Sequence, residues 1–75
     1  MMLNNSVISS TRGTYVYVFL KQNIGKEYSA QQIANQISFP STSHQVAAAI
    51  KNMRPWEKRH IHINDKHNPF RYSFK

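Results

Sequence analysis

The segment STSHQVAAAIKNM, residues 41–53, carries the side chains best suited to directed hydrogen bonding. Gln45 and Asn52 each hold an amide that donates and accepts, Lys51 an ammonium donor, and His44 an imidazole with two ring nitrogens for hydrogen bonding. If the segment is helical, His44, Ala48 and Lys51 share one side, with Gln45 and Asn52 at its edges, and Ser43 stands at its start. Val46, Ala49, Ile50 and Met53 fall within a narrow arc on the opposite side, which marks that arc as the core face. The outward face is polar and small, with Ala48 permitting close approach. The competing reading is an ordinary solvated helix face.

Charge weighs between the two. Ten Lys and Arg stand against three acidic residues in 75, a formal net charge of +7, and the pI is near 10.2. That balance makes nucleic acid the leading partner class, ahead of acidic proteins and acidic membranes. The charge is uneven: Lys51, Arg54, Lys58, Arg59, Lys66, Arg71 and Lys75 lie in the last third, opposed there only by Glu57 and Asp65. Side chains of this kind neutralise phosphates and add affinity and salt dependence without sequence information. A basic surface kept for solubility is the alternative, less attractive because the charge is concentrated on one unit.

Elements must hold these groups in place. Seventy-five residues make one domain, which buries only about 60% of its unfolded surface and so has a thin core. Residues 1–10 read as a tail that Val7 and Ile8 could partly order, and residues 11–75 as the folded domain. TRGTYVYVFLKQN has strong β propensity in Tyr15, Val16, Tyr17, Val18 and Phe19, so a strand is the alternative there. Three features favour a helix: a cap at Ser10 or Thr11, the spacing of Val16, Phe19, Leu20 and Asn23, and Gly25 to end it. An extended link at KEY follows. Ser29 and Gln32 have capping-box spacing for a second helix, whose buried side is Ile33, Ala34 and Ile37.

SFPST then breaks the pattern, because Pro40 pushes Phe39 toward an extended conformation. Ser41 or Thr42 can cap the third helix, 42–53, and a hydroxyl there can also meet a phosphate, although capping is the expected role. Pro55 is expected to stop that helix. Beyond it Ile61 and Ile63 alternate with His60 and His62, and Phe70, Tyr72 and Phe74 alternate in FRYSF. NDKHNP supplies turn residues, so 60–75 reads as a β-hairpin.

The order helix, short strand, helix, turn, helix, β-hairpin, mainly α, resembles the winged helix-turn-helix class. The resemblance spans residues 11–75 and is carried by YSAQQIANQI, STSHQVAAAIKNM and HIHINDKHNPFRYSF. It implies sequence-specific binding of double-stranded DNA and transcriptional regulation, of the kind performed by small bacterial or phage regulators in the cytoplasm. It places helix 42–53 in the major groove and makes the 60–75 hairpin a wing on the backbone. The contact residues it implies are Ser41, Thr42, Ser43, His44, Gln45, Ala48, Lys51, Asn52, Arg54, Lys58, Arg59, Lys66, His67 and Arg71. A homodimer or another transcription protein is the further partner expected. A protein–protein adaptor using exposed Tyr15 and Tyr17 is one alternative, and a nonspecific architectural nucleic-acid binder is another.

Other residue types narrow the field. There is no cysteine, which removes disulfides, thiolate zinc sites and thiol nucleophiles. Three acidic residues and no glycine-rich phosphate loop leave little for general acid–base work, so no catalysis is expected. His60, His62 and His67 lack a completing carboxylate or thiolate; no metal and no cofactor are expected. Trp56 is expected in the core beneath the hairpin, with stacking on a nucleobase the alternative. Phe19, Tyr28 and Phe39 are expected to complete that core. The start of the chain lacks a charged segment followed by an apolar run, and no stretch reaches the ~20 apolar residues of a membrane span.

Overall fold

A computed structural model describes residues 11–75; the expected tail at 1–10, with Val7, Ile8 and the candidate cap Ser10, lies outside the described residues. Within them run α1 (Thr11–Gln22), β1 (Tyr28–Ser29), α2 (Ala30–Gln36), α3 (Ser43–Lys51), α4 (Pro55–Lys58), β2 (Ile61–Asn64) and β3 (Arg71–Phe74). The fold is mixed, four helices with a three-stranded antiparallel sheet of order β1-β3-β2.

The ambiguous first segment is a helix. Val16 and Leu20, four residues apart, are completely buried while Val18 between them is 43% exposed; helical spacing separates Val18 from that face, whereas β alternation would have put all three on it. Gly25 adopts φ +87 after the helix, a conformation that costs glycine little, and its N–H donates to the Phe74 carbonyl at 3.2 Å. The chain reversal after α1 is thereby tied to the sheet.

Both capping boxes form. The Ser29 hydroxyl accepts from the Gln32 N–H at 3.2 Å, while the Gln32 side-chain oxygen accepts from the Ser29 N–H at 2.8 Å. Ser29 therefore caps α2 and also pairs with Arg71 in the sheet, as Tyr28 pairs with Tyr72. The extended link is thus a short edge strand. α3 packs against both α1 and α2, and α1 also meets β3. The core joins Val16, Leu20, Ile33, Ala34, Val46, Ile50, Met53, Ile61, Tyr72 and Phe74, with Phe19, Tyr28 and Ile37 partly buried against it.

Several expectations need correction. The third helix is Ser43–Lys51, shorter than 42–53, with Thr42 and Asn52 as its caps. Pro55 does not simply stop it: after the break at residues 52–54, Pro55 opens the extra turn α4, because the first helical position needs no N–H. Trp56 is 42% exposed rather than core. The fully buried residue of that turn is Glu57, which faces inward because its Oε1 accepts from the Arg54 N–H at 2.9 Å and closes the turn. Phe39 is half-buried outside the main core and stacks on Tyr15 with centroids 5.4 Å apart. Ile63 and Phe70 remain 39% and 49% exposed.

Among the described residues Glu57 Oε2 is buried without a hydrogen-bond partner, an arrangement that costs free energy. Glu57→Gln keeps the Oε1 acceptor and replaces a carboxylate by an amide that is cheaper to take out of water. It is expected to raise stability by about 1 kcal/mol, read as a higher urea midpoint. A lower midpoint would show that the carboxylate's charge itself supports the fold.

Candidate nucleic-acid interface

α3 is held from one side only. Its apolar stripe Val46, Ala49 and Ile50 is buried, as is Met53 just beyond its end, whereas His44, Gln45, Ala48, Lys51 and the cap Asn52 are exposed together. At its start the Thr42 hydroxyl accepts from the Gln45 N–H at 3.2 Å, and Gln45 Oε1 accepts from the Thr42 N–H at 2.9 Å. Thr42, not Ser41, is therefore the cap. The cap takes up the Gln45 carbonyl oxygen and leaves its amide nitrogen to donate outward, so a bidentate contact from Gln45 requires the cap to open. At the other end the Asn52 N–H donates to the Ala48 carbonyl at 3.0 Å, leaving its side chain exposed.

Ser41 has a different employment. Its hydroxyl donates to the Phe39 carbonyl at 2.8 Å and accepts from Arg12 Nε at 2.7 Å. Arg12 also reaches the Pro40 carbonyl at 3.5 Å, and its guanidinium carbon lies 4.9 Å from the centre of the Phe39 ring. A cation from α1 is thereby placed beside the N-terminus of α3. Sequence reasoning missed Arg12 because nothing local links it to a residue 29 positions away.

The basic residues fall into groups. Lys58 Nζ donates to the Lys51 backbone carbonyl at 3.0 Å, so the Lys58 ammonium sits at the end of α3 where the helix dipole is negative and cations are favoured. Arg54 and Arg59 are exposed at the two ends of α4. Lys66 and His67 lie exposed on the turn between β2 and β3, and Arg71 is exposed at the first position of β3. Asn64 organises that turn, accepting from the Lys66 N–H at 3.1 Å and donating to Glu27 Oε2 at 3.2 Å. An open groove of about 370 Å³ separates the start of α3, with Ser43 and His44, from the end of the turn at Asn68, Pro69 and Phe70.

The histidines do not converge. His60 stacks on Phe74 with centroids 5.1 Å apart and rings nearly parallel, while His62 is exposed. Among the described residues no three His, Asp or Glu side chains come together as a metal site. Tyr17, expected as an exposed docking residue, is half-buried with its ring edge-on to Phe74 at 5.4 Å and to Trp56 at 6.5 Å. Tyr15 is exposed as expected, at 42%. Among the described residues no helix is long and apolar enough to cross a membrane.

Taken as chemistry, the site offers an amide donor, a second amide, an ammonium and an imidazole on one helix face, with cations at both ends of that helix. It can donate hydrogen bonds to a polyanion at several points. Comparison of the chain with protein families, curated proteins and solved structures finds no match.

Tyr72 lines the groove beside His44, and burial pushes its phenol pKa above the ordinary 10.0. The neutral phenol is thus favoured in the fold. Its contribution to stability is complete below pH 10.0 and is lost as the pH rises toward the higher folded value, since the unfolded chain ionises first. Tyr72→Phe is expected to lose less stability than the wild type across that alkaline range, measured as thermal midpoint against pH. Parallel curves for the two proteins would remove Tyr72 as the cause.

Proposed function

We propose that this chain is a winged helix-turn-helix protein that binds double-stranded DNA by sequence and regulates transcription. In this reading α2 and α3 form the helix-turn-helix, α3 enters the major groove, and the β2–β3 hairpin is the wing. The observation that carries it is the exposed polar face of α3, flanked by cations from α1, α4 and the hairpin. A helix is narrow enough for the major groove, where Asn can pair bidentately with adenine and Lys can donate to guanine.

The roles then divide. Lys51, Asn52, His44 and the free amide nitrogen of Gln45 address base edges, and Ala48 allows approach to a thymine methyl group. Arg54, Lys58, Arg59, Lys66, His67 and Arg71 meet phosphates. Arg12 joins that phosphate set. Thr42 and Ser41 serve chiefly to fix the helix and Arg12. One module of this size has limited contact area, so a homodimer on a two-fold symmetric operator, or a second transcription protein, belongs to the same proposal.

Selection from random duplex DNA at physiological salt tests it. The wild type is expected to enrich one motif; Lys51→Ala and Asn52→Ala are expected to change its preferred bases, with about 1–3 kcal/mol lost on the original site. Arg12→Ala and Arg71→Ala are expected to weaken all sequences alike and to lower the salt slope by about one each. Binding without an enriched motif would favour a nonspecific architectural protein. No binding at all would leave the adaptor.

A further inference from the structure

The open edge of the sheet ends in an apolar groove whose exposed Ile63 and Phe70 no part of the DNA reading uses. Among the described residues β2 pairs with β3 on one side only, with Ile61 opposite Phe74, His62 opposite Ser73 and Ile63 opposite Tyr72. The Lys75 N–H donates to the His60 carbonyl at 2.8 Å. Antiparallel partners alternate between bonded and non-bonded pairs, so His62 and Asn64 bond to β3, and the N–H and C=O groups of Ile61 and Ile63 point to the free edge. The Gly25 N–H on the Phe74 carbonyl agrees with this phase, since it places the residues between toward β1.

Beside that edge lies a groove of about 260 Å³, lined by the buried Ile50 and Tyr72, the exposed Ile63 and Phe70, and the exposed Lys51 and Lys58. Its walls combine apolar side chains with two cations and no acid. Phosphates have no apolar group with which to cover Ile63 and Phe70. A second copy of this chain would bring another formal charge of +7 against the same lysines. A segment with apolar side chains bordered by carboxylates satisfies both halves of the groove.

The geometry points to a second binding surface: the β2 edge and its groove take an extended acidic segment of a partner protein. The segment adds a strand beside β2 through the Ile61 and Ile63 backbone groups. Its alternate side chains enter the groove, an apolar one covering Ile63 and Phe70 and an acidic one meeting Lys51 and Lys58. Because Lys51 and Lys58 also belong to the proposed DNA set, partner and DNA compete for these two side chains.

A display library of random peptides, selected on the full chain without DNA, tests this surface. Enriched peptides are expected to carry acidic and large apolar residues two apart, and Ile63→Ser and Phe70→Ser are each expected to weaken them about tenfold or more. Both positions are exposed, and neither is in the proposed DNA set, so both variants are expected to keep the wild-type melting curve and DNA affinity. Failure to enrich, enrichment without acidic residues, or binding indifferent to both variants would overturn the proposal. So would self-association by light scattering that Ile63→Ser abolishes, since the edge would then take a second copy. DNA binding is scored separately, so its absence bears on the first proposal and leaves this one standing.

Discussion

Burial of one stripe on α3 organises the molecule. Val46, Ile50 and Met53 fill the space between α1, α2 and the sheet, and in a domain this small few other side chains can replace them. With that side committed to the core, the opposite side is left in water by geometry alone. The same stripe sets the direction of α3, and the reciprocal bonds of Thr42 and Gln45 set where it begins. The exposure of His44, Ala48, Lys51 and Asn52 is therefore a consequence of packing.

The sheet performs a second task with little material. β3 is its central strand, bonding β1 across a long stretch of chain and β2 through the hairpin. β1 contributes two residues, and Ser29 ends it by capping α2. One residue thus couples the sheet to the helix pair, so the hairpin cannot shift in register without disturbing the start of α2. Asn64 and Glu27 add a polar tie between the same two regions. The spacing between the hairpin turn and α3 is consequently held from two sides.

The turn α4 departs most from simple packing rules. It buries a carboxylate and exposes an indole, the reverse of what composition favours. Local bonding accounts for the first: Glu57 is the third residue of the turn and its Oε1 reaches the Arg54 N–H. For Trp56, helical geometry turns the neighbouring residue away from Glu57, and its ring meets Tyr17 in an edge-on arrangement. This inversion leaves Arg54, Lys58 and Arg59 on the outside with the indole, and it gives Lys58 its reach to the end of α3.

Short-range patterns were legible in the amino-acid order. The capping pair Ser29–Gln32, a cap at Ser41 or Thr42, the stripe on α3, the glycine after α1 and the hairpin all depend on residues a few positions apart, where spacing alone decides the geometry. Helix over strand at Tyr15–Phe19 was a closer matter, settled by the burial of Val16 and Leu20 with Val18 exposed between them. Tertiary structure alone decided the pairing of Tyr28 with Tyr72, the meeting of Arg12 with Ser41, the exposure of Trp56 and the groove between α3 and the hairpin. Each of these needs two or more elements brought together by a common core. No periodicity within a single segment records which distant residue will stand beside it.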